Sequence, residues 1–277
     1  MGRFDGKVVM VTGAAKGQGR QHALSFAAEG ATVAICDIAR QLDTAGRQGT
    51  EAELAETAAS VQATGADCLA MVADVRSDAD LSAFTDKVLG AFGRIDVLVA
   101  NAGIASYAPF DELPIAWWQE MIDINLGGVA TAIRAVAPHM RSRGSGRIVA
   151  TSSAAAREGV PNSCHYAAAK WGVVGLVKSA ALELGPFGIT VNAVCPMSVD
   201  TDMCHNTETY RLFRPDLEQP TRDEVAATFA GLNAMNVPWL PIRDVTAAVL
   251  FLASDDARYV TGTAVDIAAG WNAKHLA

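Results

Sequence analysis

Short apolar segments rich in β-branched residues alternate along this chain with longer amphipathic segments, and this alternation restricts the fold more than any other sequence feature. The segments expected to form strands span 7–12, 31–37, 68–73, 95–100, 147–151, 190–194 and 264–267. Most are continuously apolar, which is typical of parallel strands covered on both faces. Helices are expected near 18–29, 51–64, 78–91, 115–141, 164–185 and 243–253. The alternation predicts an α/β fold with a doubly wound parallel sheet and right-handed crossovers.

Two segments depart from this alternation within what we predict to be a single domain over residues 1–277. Residues 38–49 are polar and punctuated by glycine, which is equally compatible with a functional insertion and with a variable surface loop. Residues 197–241 form a long segment with four prolines. Because this segment follows the carboxyl end of a predicted strand, where ligands bind in such sheets, we predict that it is a substrate-covering lid.

Composition excludes several kinds of partner and site. With 22 basic and 30 acidic residues the net charge is −8, which argues against a nucleic-acid partner. Apolar runs stay below the roughly 18 residues of a membrane span. The five cysteines form no C-x-x-C pair and no H-E-x-x-H motif occurs, so we expect reduced thiols and no metal site. In the absence of a recognisable secretory signal, a cytoplasmic location is predicted.

A glycine-rich turn, TGAAKGQG at 12–19, follows the first predicted strand and precedes a helix. Such a turn lets backbone N–H groups approach a pyrophosphate at the positive end of the helix. Its glycine spacing differs from G-x-G-x-x-G, and an ordinary glycine turn is the alternative. An aspartate that closes the second strand favours a dinucleotide site, since it can accept hydrogen bonds from the adenosine ribose. The residues expected to bind the cofactor here are Gly13, Ala15, Lys16, Gly17, Gln18, Gly19 and Asp37.

The charge of Asp37 distinguishes NAD from NADP. Lys16 and Arg40 are cations of the kind that hold a 2′-phosphate. A phosphate against the Asp37 carboxylate would cost about 4 kcal/mol per unit charge at ~4 Å and an effective dielectric of ~20. The sequence therefore favours NAD.

Polar residues also end the next two predicted strands. Asp74 and Val75 follow the third strand, and Asn101, Ala102 and Gly103 follow the fourth. Each group alone is compatible with an ordinary strand-terminating turn. Because both occur at the carboxyl edge, where an adenine ring and a ribose would lie, we predict that they line the same cofactor site.

Ser153, Tyr166 and Lys170 are the candidate catalytic residues. The four-residue interval between Tyr166 and Lys170 places both side chains on one helix face. To act as a base near pH 7–8, a tyrosine must lower its pKa from about 10 by roughly 2–3. The Lys170 cation and a positively charged nicotinamide are expected to do this, while Ser153 holds the substrate oxygen. Tyr-x-x-x-Lys alone is common on helices, so the assignment depends on the surrounding motifs.

These motifs together resemble the classical short-chain dehydrogenase/reductases. The resemblance is carried by TGAAKGQG, by NAG at 101–103, by Asn125, by Ser153 with YAAAK at 166–170, and by residues 192–196. It spans about residues 5–270 and implies a single-domain, seven-stranded Rossmann fold and a homotetramer. It also implies that Tyr166 is the acid/base, that Lys170 supports it and binds ribose, that Ser153 positions substrate, and that Asn125 holds a water in a proton relay.

One position departs from the family pattern. Pro196 is followed by Met197, where the family usually has glycine. By resemblance, Pro196, Val199 and Thr201 are still expected to contact the nicotinamide. Met197 adds an apolar side chain near that ring, so the geometry of the loop is in question.

The insertion at 38–49, Asp37 and PMSVDT at 196–201 are similar to a narrower group, the actinobacterial mycofactocin-associated dehydrogenases, which include carveol dehydrogenases. That resemblance implies tightly held NAD(H) whose electrons pass to a peptide-derived redox carrier. An insertion that covers the adenosine would account for such retention, because ~1.4 kcal/mol of added stabilisation lowers the dissociation constant tenfold.

A hydrophobic alicyclic or terpenoid secondary alcohol, such as a carveol-like compound, is the expected substrate. The cavity is predicted to draw on ten mostly apolar residues, any of which could equally be core or interface: Ile104, Tyr107, Trp171, Met197, Met203, Leu212, Phe213, Met235, Trp239 and Leu240. One alternative is a 3-oxoacyl thioester reductase with exchangeable NADP(H), whose carrier would dock on basic residues such as Arg141, Arg143 and Arg147. Another is a non-catalytic nucleotide-binding regulator, since fold alone does not fix function.

Overall fold

The seven predicted strands form one parallel sheet in the computed structural model, which describes residues 2–44 and 46–274. The strands are β1 Val8–Thr12, β2 Thr32–Asp37, β3 Cys68–Val72, β4 Val97–Ala100, β5 Gly146–Thr151, β6 Ile189–Pro196 and β7 Ala264–Ile267. They lie in the order β3-β2-β1-β4-β5-β6-β7. This confirms the predicted single-domain, doubly wound Rossmann fold; residues 1, 45 and 275–277 of the predicted domain lie outside the described residues.

Burial on both faces explains why the strand segments are continuously apolar. In β1, Val9 and Val11 face one core layer together with Phe26 and Val249. Met10 faces the opposite layer, which includes the core of the central helices. Since successive side chains of a strand point to opposite faces, a strand covered on both sides needs apolar residues at every position.

Helices cover both faces of the sheet. They are α1 Gly17–Ala28, α2 Glu51–Gln62, α3 Asp78–Phe92, α4 Ile115–Ile122, α5 Gly128–Arg143, α6 Cys164–Leu184, α7 Thr207–Phe213, α8 Arg222–Gly231 and α9 Ile242–Ala253. Capping fixes several starts: the Thr50 side chain accepts from the Glu53 N–H and Glu53 bonds back, so α2 begins immediately after the predicted insertion.

The helical stretch predicted near 115–141 is observed over 115–143. Within it a π-helical turn, Asp123–Gly127, which was not predicted, lies between α4 and α5 and contains the buried Asn125. Apolar residues continue at three- and four-residue steps through this turn, so sequence periodicity does not reveal it. Such turns occur frequently at functional sites.

The segment 197–241 contains two short helices, α7 and α8, that the sequence analysis did not predict. They pack around a small apolar cluster of their own, formed by Tyr210, Val225 and Phe229. This cluster gives the segment internal structure above the carboxyl ends of the strands. Val199 pairs with Leu240 in an isolated parallel bridge, which closes the base of the segment.

The order of the strands fixes the position of the binding crevice. β1 has β2 on one side and β4 on the other, so successive crossovers run in opposite directions from it. In sheets of this kind, ligands bind at such a switch point, outside the carboxyl ends of the strands. Among the helices of the described residues, none has the length and apolar character required to cross a membrane.

Candidate active site

A cleft lies at the carboxyl edge of the sheet and gathers most of the residues that the sequence predicts for the site. Those that line it are Gly13, Lys16, Gly17, Gln18, Asp37, Asp74, Val75, Asn101, Ala102, Gly103, Ser153, Tyr166, Lys170, Pro196, Val199 and Thr201. Ala15, Gly19 and Asn125 are not among its lining residues and act from behind it. Where metal ligands are concerned, residues 2–44 and 46–274 hold no suitable group of three or more His, Cys, Asp or Glu.

The glycine-rich turn has the geometry that a pyrophosphate requires. Gly13 has a φ of 66°, and a Cβ there would lie 2.7 Å from the Ala102 Cα. A Cβ at Gly19 would lie 2.1 Å from the Gly13 carbonyl oxygen, so Gly19 allows α1 to approach the turn. No side chain caps the start of α1, and the buried Gln18 Oε1 lacks a protein partner. The N–H groups of the first helical turn are therefore available to a negatively charged ligand.

Asp37 is held at the end of β2 by two backbone donors. The Ala15 N–H donates to Oδ2 at 3.0 Å and the Ala39 N–H donates to Oδ1 at 3.1 Å. Both cations considered for a 2′-phosphate have carboxylate partners: Lys16 lies 2.8 Å from Asp202, and Arg40 lies 3.3 Å from Asp74. The carboxylate of Asp37 is thus the charge presented to the adenosine ribose.

The insertion at 38–49 lies against this part of the cleft. Leu42, Gly46, Arg47, Gln48 and Gly49 are among its lining residues. A Cβ at Gly49 would lie 2.6 Å from the Ala15 Cβ and 3.2 Å from Asp37 Oδ1, so the chain passes directly over the end of β2. Farther out, the Thr44 hydroxyl hydrogen-bonds to Glu120 of α4.

Asn101 supports the glycine-rich turn. Its amide Nδ2 donates to the Thr12 carbonyl at 3.1 Å and to the Gly13 carbonyl at 3.2 Å. Thr151 donates to Asn101 Oδ1 at 3.3 Å, which connects the ends of β4 and β5. Asp74 is held by Arg76 at 2.6 Å. Burial raises the pKa of Asp74, but the hydrogen bonds and charge of Arg76 outweigh it, and the pKa is lowered overall.

The predicted catalytic residues meet where β5 ends beside α6. Lys170 is buried, and its Nζ donates to the Thr151 carbonyl at 2.9 Å. The Ser152 hydroxyl donates to the Lys170 carbonyl at 2.8 Å, which holds the helix against the strand. Tyr166 hydrogen-bonds to Ser153, and Lys170 Nζ lies 5.6 Å from the centroid of the Tyr166 ring. The structure therefore brings the three side chains together at one point of the cleft.

In the protein without cofactor, the pKa of Tyr166 lies above its ordinary value. Burial raises the pKa of Tyr166 to about 12, although the hydrogen bond from Ser153 opposes this. Burial also lowers the pKa of Lys170 to about 8. Both shifts arise because a desolvated site disfavours the charged form of each group. The lowering expected from Lys170 together with a positively charged nicotinamide concerns the cofactor-loaded site and stays a prediction; without cofactor, desolvation outweighs the hydrogen bond from Ser153.

Asn125 acts on the loop after β4. Its Oδ1 accepts from the Ile104 N–H and its Nδ2 donates to the Ile104 carbonyl, both at 2.8 Å. A Cβ at Gly103 would lie 3.0 Å from Asn125 Oδ1 and 3.5 Å from Lys170 Nζ. The amide and the amine therefore border the same small volume, which the missing side chain of Gly103 leaves open.

The segment after β6 lies on the opposite side of the catalytic residues. The Met197 N–H donates to the Ile267 carbonyl at 3.0 Å, which continues the β6–β7 pairing past Pro196. The Met197 side chain packs with Ala268 and Trp271 and also lines the cleft. Met197 is thus accommodated by this cluster. Thr201 remains close to the glycine-rich turn, since its methyl group would lie 3.8 Å from a Cβ at Gly17.

Only part of the predicted substrate cavity is realised. Ile104, Tyr107, Met197 and Met203 line the cleft. The other six do not: Trp171 and Met235 are exposed, Phe213 and Trp239 pack in the cluster of α7 and α8, and Leu212 and Leu240 lie outside the lining. The expected contribution of these six was wrong: Phe213 and Trp239 stabilise the segment 197–241 itself, and Trp171 and Met235 face away from the cleft.

Several lining residues escaped the sequence analysis. They are Ala105, Ile124, Asp202, Cys204, Asn206, Glu208 and Thr209. Most belong to the start of α7 and the turn before it. The one local signal is the N-cap at Asn206, whose Oδ1 accepts from the Thr209 N–H at 2.8 Å. A cap predicts a helix start but not which side chains face a cleft.

The basic cluster considered for carrier docking lies at the other edge of the sheet. Arg147 is at the start of β5, whereas the cleft is at the carboxyl ends of the strands. Each arginine has a local partner: Arg141 lies over the Phe187 ring, Arg143 lies 3.8 Å from Asp96, and Arg147 lies 3.3 Å from Asp255. This position does not support a docking role beside the site.

Comparison with known proteins links this site to a family of oxidoreductases. A family model described as short chain dehydrogenase matches residues 7–211. The chain is 45% identical over 279 residues to (-)-trans-carveol dehydrogenase of Rhodococcus erythropolis, covering 99% of this chain and 100% of that protein. It is 36% identical to levodione reductase of Leifsonia aquatica, covering 99% of this chain and 97% of the relative.

A solved structure shares the same architecture. The crystal structure of carveol dehydrogenase from Mycobacterium avium in complex with NAD matches with a TM-score of 0.96 and 44% identity. The match covers 98% of this chain and 99% of that one. The similarity therefore extends over the sheet, the insertion and the segment 197–241.

Proposed function

The chain belongs to the short-chain dehydrogenase family and is an NAD-dependent oxidoreductase acting on CH–OH groups, and we propose that it interconverts a hydrophobic alicyclic or terpenoid secondary alcohol, carveol-like in character, with its ketone. The observation that carries this proposal is the meeting of Ser153, Tyr166 and Lys170 at one point of the cleft. The apolar side chains of Ile104, Met197 and Met203 beside them support an apolar substrate.

The residues of the cleft fit NAD. The uncapped start of α1 suits the pyrophosphate, and the Asp37 carboxylate suits the ribose hydroxyls. Lys170, Tyr166, Val199 and Thr201 would hold the nicotinamide end. When bound, NAD supplies the hydride acceptor for alcohol oxidation and the hydride donor for ketone reduction.

The protein residues handle the proton. Ser153 holds the substrate oxygen, and Tyr166 takes the hydroxyl proton in oxidation and returns it to the ketone oxygen in reduction. With its pKa raised to about 12, Tyr166 keeps its proton at neutral pH in the free protein and is poised to donate. Lys170 and Asn125, which border the volume beside Gly103, form the route by which the proton reaches solvent.

The proposed retention of the cofactor is supported by the two segments over the cleft. The insertion lies against Asp37, and the lid segment 197–241 approaches the glycine-rich turn through Asp202. Leaving the site requires both contacts to open. This supports tightly bound NAD(H), with electrons passing to a separate carrier, in keeping with the resemblance to the peptide-carrier-linked subgroup.

Two further proposals concern assembly and location. Homotetramer formation is proposed from the family resemblance and is tested by sedimentation. A cytoplasmic location is proposed from the sequence.

The two other functions are less well supported. A 3-oxoacyl thioester reductase would use basic residues beside the cleft to dock its anionic carrier. Arg147, however, lies at the opposite edge of the sheet, and Arg141 and Arg143 lie in the last turn of α5. A non-catalytic nucleotide-binding regulator would not need Ser153, Tyr166 and Lys170 to converge. These placements favour alcohol and ketone chemistry.

Two measurements test the proposal. Tyr166→Phe is expected to lower kcat for oxidation of cyclic secondary alcohols by about 10²–10⁴-fold, the usual contribution of a positioned acid or base. Tyr259→Phe, at an exposed tyrosine, is the matched control and should be unaffected. Undiminished turnover in Tyr166→Phe would refute the acid/base role. Mass spectrometry of dialysed, denatured protein separately reports retention: co-purified NAD supports tight binding, and its absence refutes it.

A further inference from the structure

Tyr107 and Thr209 place two neutral hydroxyl groups in the wall of the cleft. Tyr107 lies on the loop after β4, and Thr209 lies in the first turn of α7. Both line the cleft together with Ile104, Met197 and Met203. Tyr107 was predicted among the mostly apolar cavity residues, and Thr209 was not predicted. Neither residue belongs to the group of Ser153, Tyr166 and Lys170.

The position of Tyr107 relative to Tyr166 is fixed on both sides. The Ser106 hydroxyl hydrogen-bonds to His165 Nε2 at 2.9 Å, and the Ala108 N–H donates to the Asn162 carbonyl at 2.9 Å. His165 precedes Tyr166 directly on α6. The two residues that flank Tyr107 are therefore attached to the segment that carries Tyr166. A substrate held at Tyr166 meets Tyr107 at a defined separation, which is the condition for recognising a second group.

The hydrogen-bonding capacity of this hydroxyl pair is not used up within the protein. Thr209 Oγ1 lies 3.2 Å from the Met203 carbonyl and 3.3 Å from Tyr107 Oη, but it has one proton to donate. If that proton goes to Met203, Tyr107 donates to Thr209 and its oxygen can accept from a substrate hydroxyl. If the proton goes to Tyr107, the phenol proton is free to donate to a carbonyl. The pair can thus bind either a hydroxyl or a keto group.

The charges near the pair indicate a neutral ligand. Glu208 also lines this part of the cleft and interacts electrostatically with Tyr107. Burial raises the pKa of Tyr107, so the phenol is neutral through the physiological range. A carboxylate or phosphate on the substrate would be repelled by the Glu208 carboxylate. The neutral phenol of Tyr107 offers no positive charge to compensate for this repulsion.

We propose that Tyr107 and Thr209 bind a second oxygen of the substrate, remote from the carbon that is oxidised. The preferred substrate is then a neutral cyclic alcohol or ketone that carries a further hydroxyl or keto group. This proposal rests on the function proposed above and adds to it the second polar group. The rival role for the pair is a latch that closes α7 onto the loop after β4, independent of the substrate.

The test compares cyclohexanediols (1,2, 1,3 and 1,4) with the corresponding methylcyclohexanols, in which a methyl group replaces the second hydroxyl. We expect the wild type to have a higher kcat/KM for at least one diol than for its methyl analogue. Tyr107→Phe, which removes one oxygen and keeps the ring, should lower kcat/KM for that diol about tenfold and change the methyl analogue less than twofold. Thr209→Val should lower the same value, and Tyr259→Phe is the matched control.

Three outcomes overturn the proposal: an equal loss on diol and analogue, which would show a latch; no loss on either; or a wild-type preference for every methyl analogue. If the wild type oxidises none of these alcohols, the proposed function fails for simple cyclic alcohols. In that case, calorimetry on the NAD-loaded protein measures diol affinity and tests the second-oxygen site without turnover. A diol that binds at least fivefold more tightly to wild type than to Tyr107→Phe supports it, and equal affinity refutes it.

Discussion

Lys16 in the glycine-rich turn and Asp202 in the lid segment 197–241 form an ion pair, with 2.8 Å between Lys16 Nζ and Asp202 Oδ2. Arg47 of the insertion approaches the same carboxylate at 3.3 Å, and its carbonyl accepts from Lys16 Nζ at 3.1 Å. Three segments that border the cofactor cleft are therefore joined at one carboxylate. Because the Asp202 side chain is 61% exposed, each of these ion pairs contributes modestly.

Removal of the Asp202 charge should speed release of the cofactor. Asp202→Asn weakens the contacts to Lys16 and Arg47, so we expect the NAD dissociation rate to rise about threefold to tenfold. Stopped-flow fluorescence after mixing with a competing nucleotide measures this rate. The control is Asp216→Asn, which removes an exposed carboxylate whose partner is Arg214. Equal rates for Asp202→Asn and the wild type would mean that the ion pairs do not restrain release.

The carboxylate of Asp37 should set the preference for NAD over NADP. Asp37→Asn keeps one acceptor oxygen for the Ala15 or Ala39 N–H but removes the charge that repels a 2′-phosphate. We expect the ratio of kcat/KM for NAD to that for NADP to fall at least tenfold. Asp67→Asn, an exposed position just before β3 and away from the carboxyl edge, controls for overall charge. An unchanged ratio would exclude Asp37 as the discriminating charge.

The open volume at Gly103 should be required for turnover. Gly103→Ala places a methyl group 3.0 Å from Asn125 Oδ1 and 3.5 Å from Lys170 Nζ, so we expect kcat to fall at least fivefold while thermal stability changes little. Steady-state kinetics and differential scanning calorimetry measure the two effects. Gly175→Ala on α6 meets no atom within 4 Å of the added Cβ and is the matched control. Full activity in Gly103→Ala would contradict a proton route through this volume.

His22 should make the protein less stable in mild acid. It is buried on α1, its Nδ1 lies 2.9 Å from Thr246 Oγ1, and burial lowers its pKa from 6.5 to about 3. Below pH 6.5 the unfolded chain therefore binds a proton that the folded chain does not. As a result, the free energy of unfolding decreases as the pH is lowered. Between pH 7 and pH 5 this residue accounts for a loss of about 2 kcal/mol.

Urea unfolding at the two pH values checks this expectation. In His22→Gln the difference in the free energy of unfolding between pH 7 and pH 5 should shrink by about 2 kcal/mol, whatever the variant's absolute stability. The prediction is wrong if the wild type and the variant lose the same amount.

The arrangement of strands could be predicted from the sequence because burial on both faces demands continuous apolar runs. The run at 8–12 and the glycine-rich turn after it define β1 and the start of α1 without any knowledge of distant residues. Parallel strands bring their carboxyl ends to one edge. Asp37 and Asn101 could therefore be assigned to one site from the strand ends, whereas Ser153 and Tyr166 were assigned through the surrounding motifs and the family resemblance.

What the sequence could not supply depends on groups that are far apart in the chain. The π-helical turn contains Asn125, which hydrogen-bonds to the backbone of the distant Ile104. The hydroxyl pair of Tyr107 and Thr209 forms where α7 contacts the loop after β4. The raised pKa of Tyr166 likewise depends on desolvation by all its neighbours. Periodicity and motif spacing encode local conformation and the order of elements. Distances across the cleft and its electrostatics are decided only when the tertiary structure excludes water.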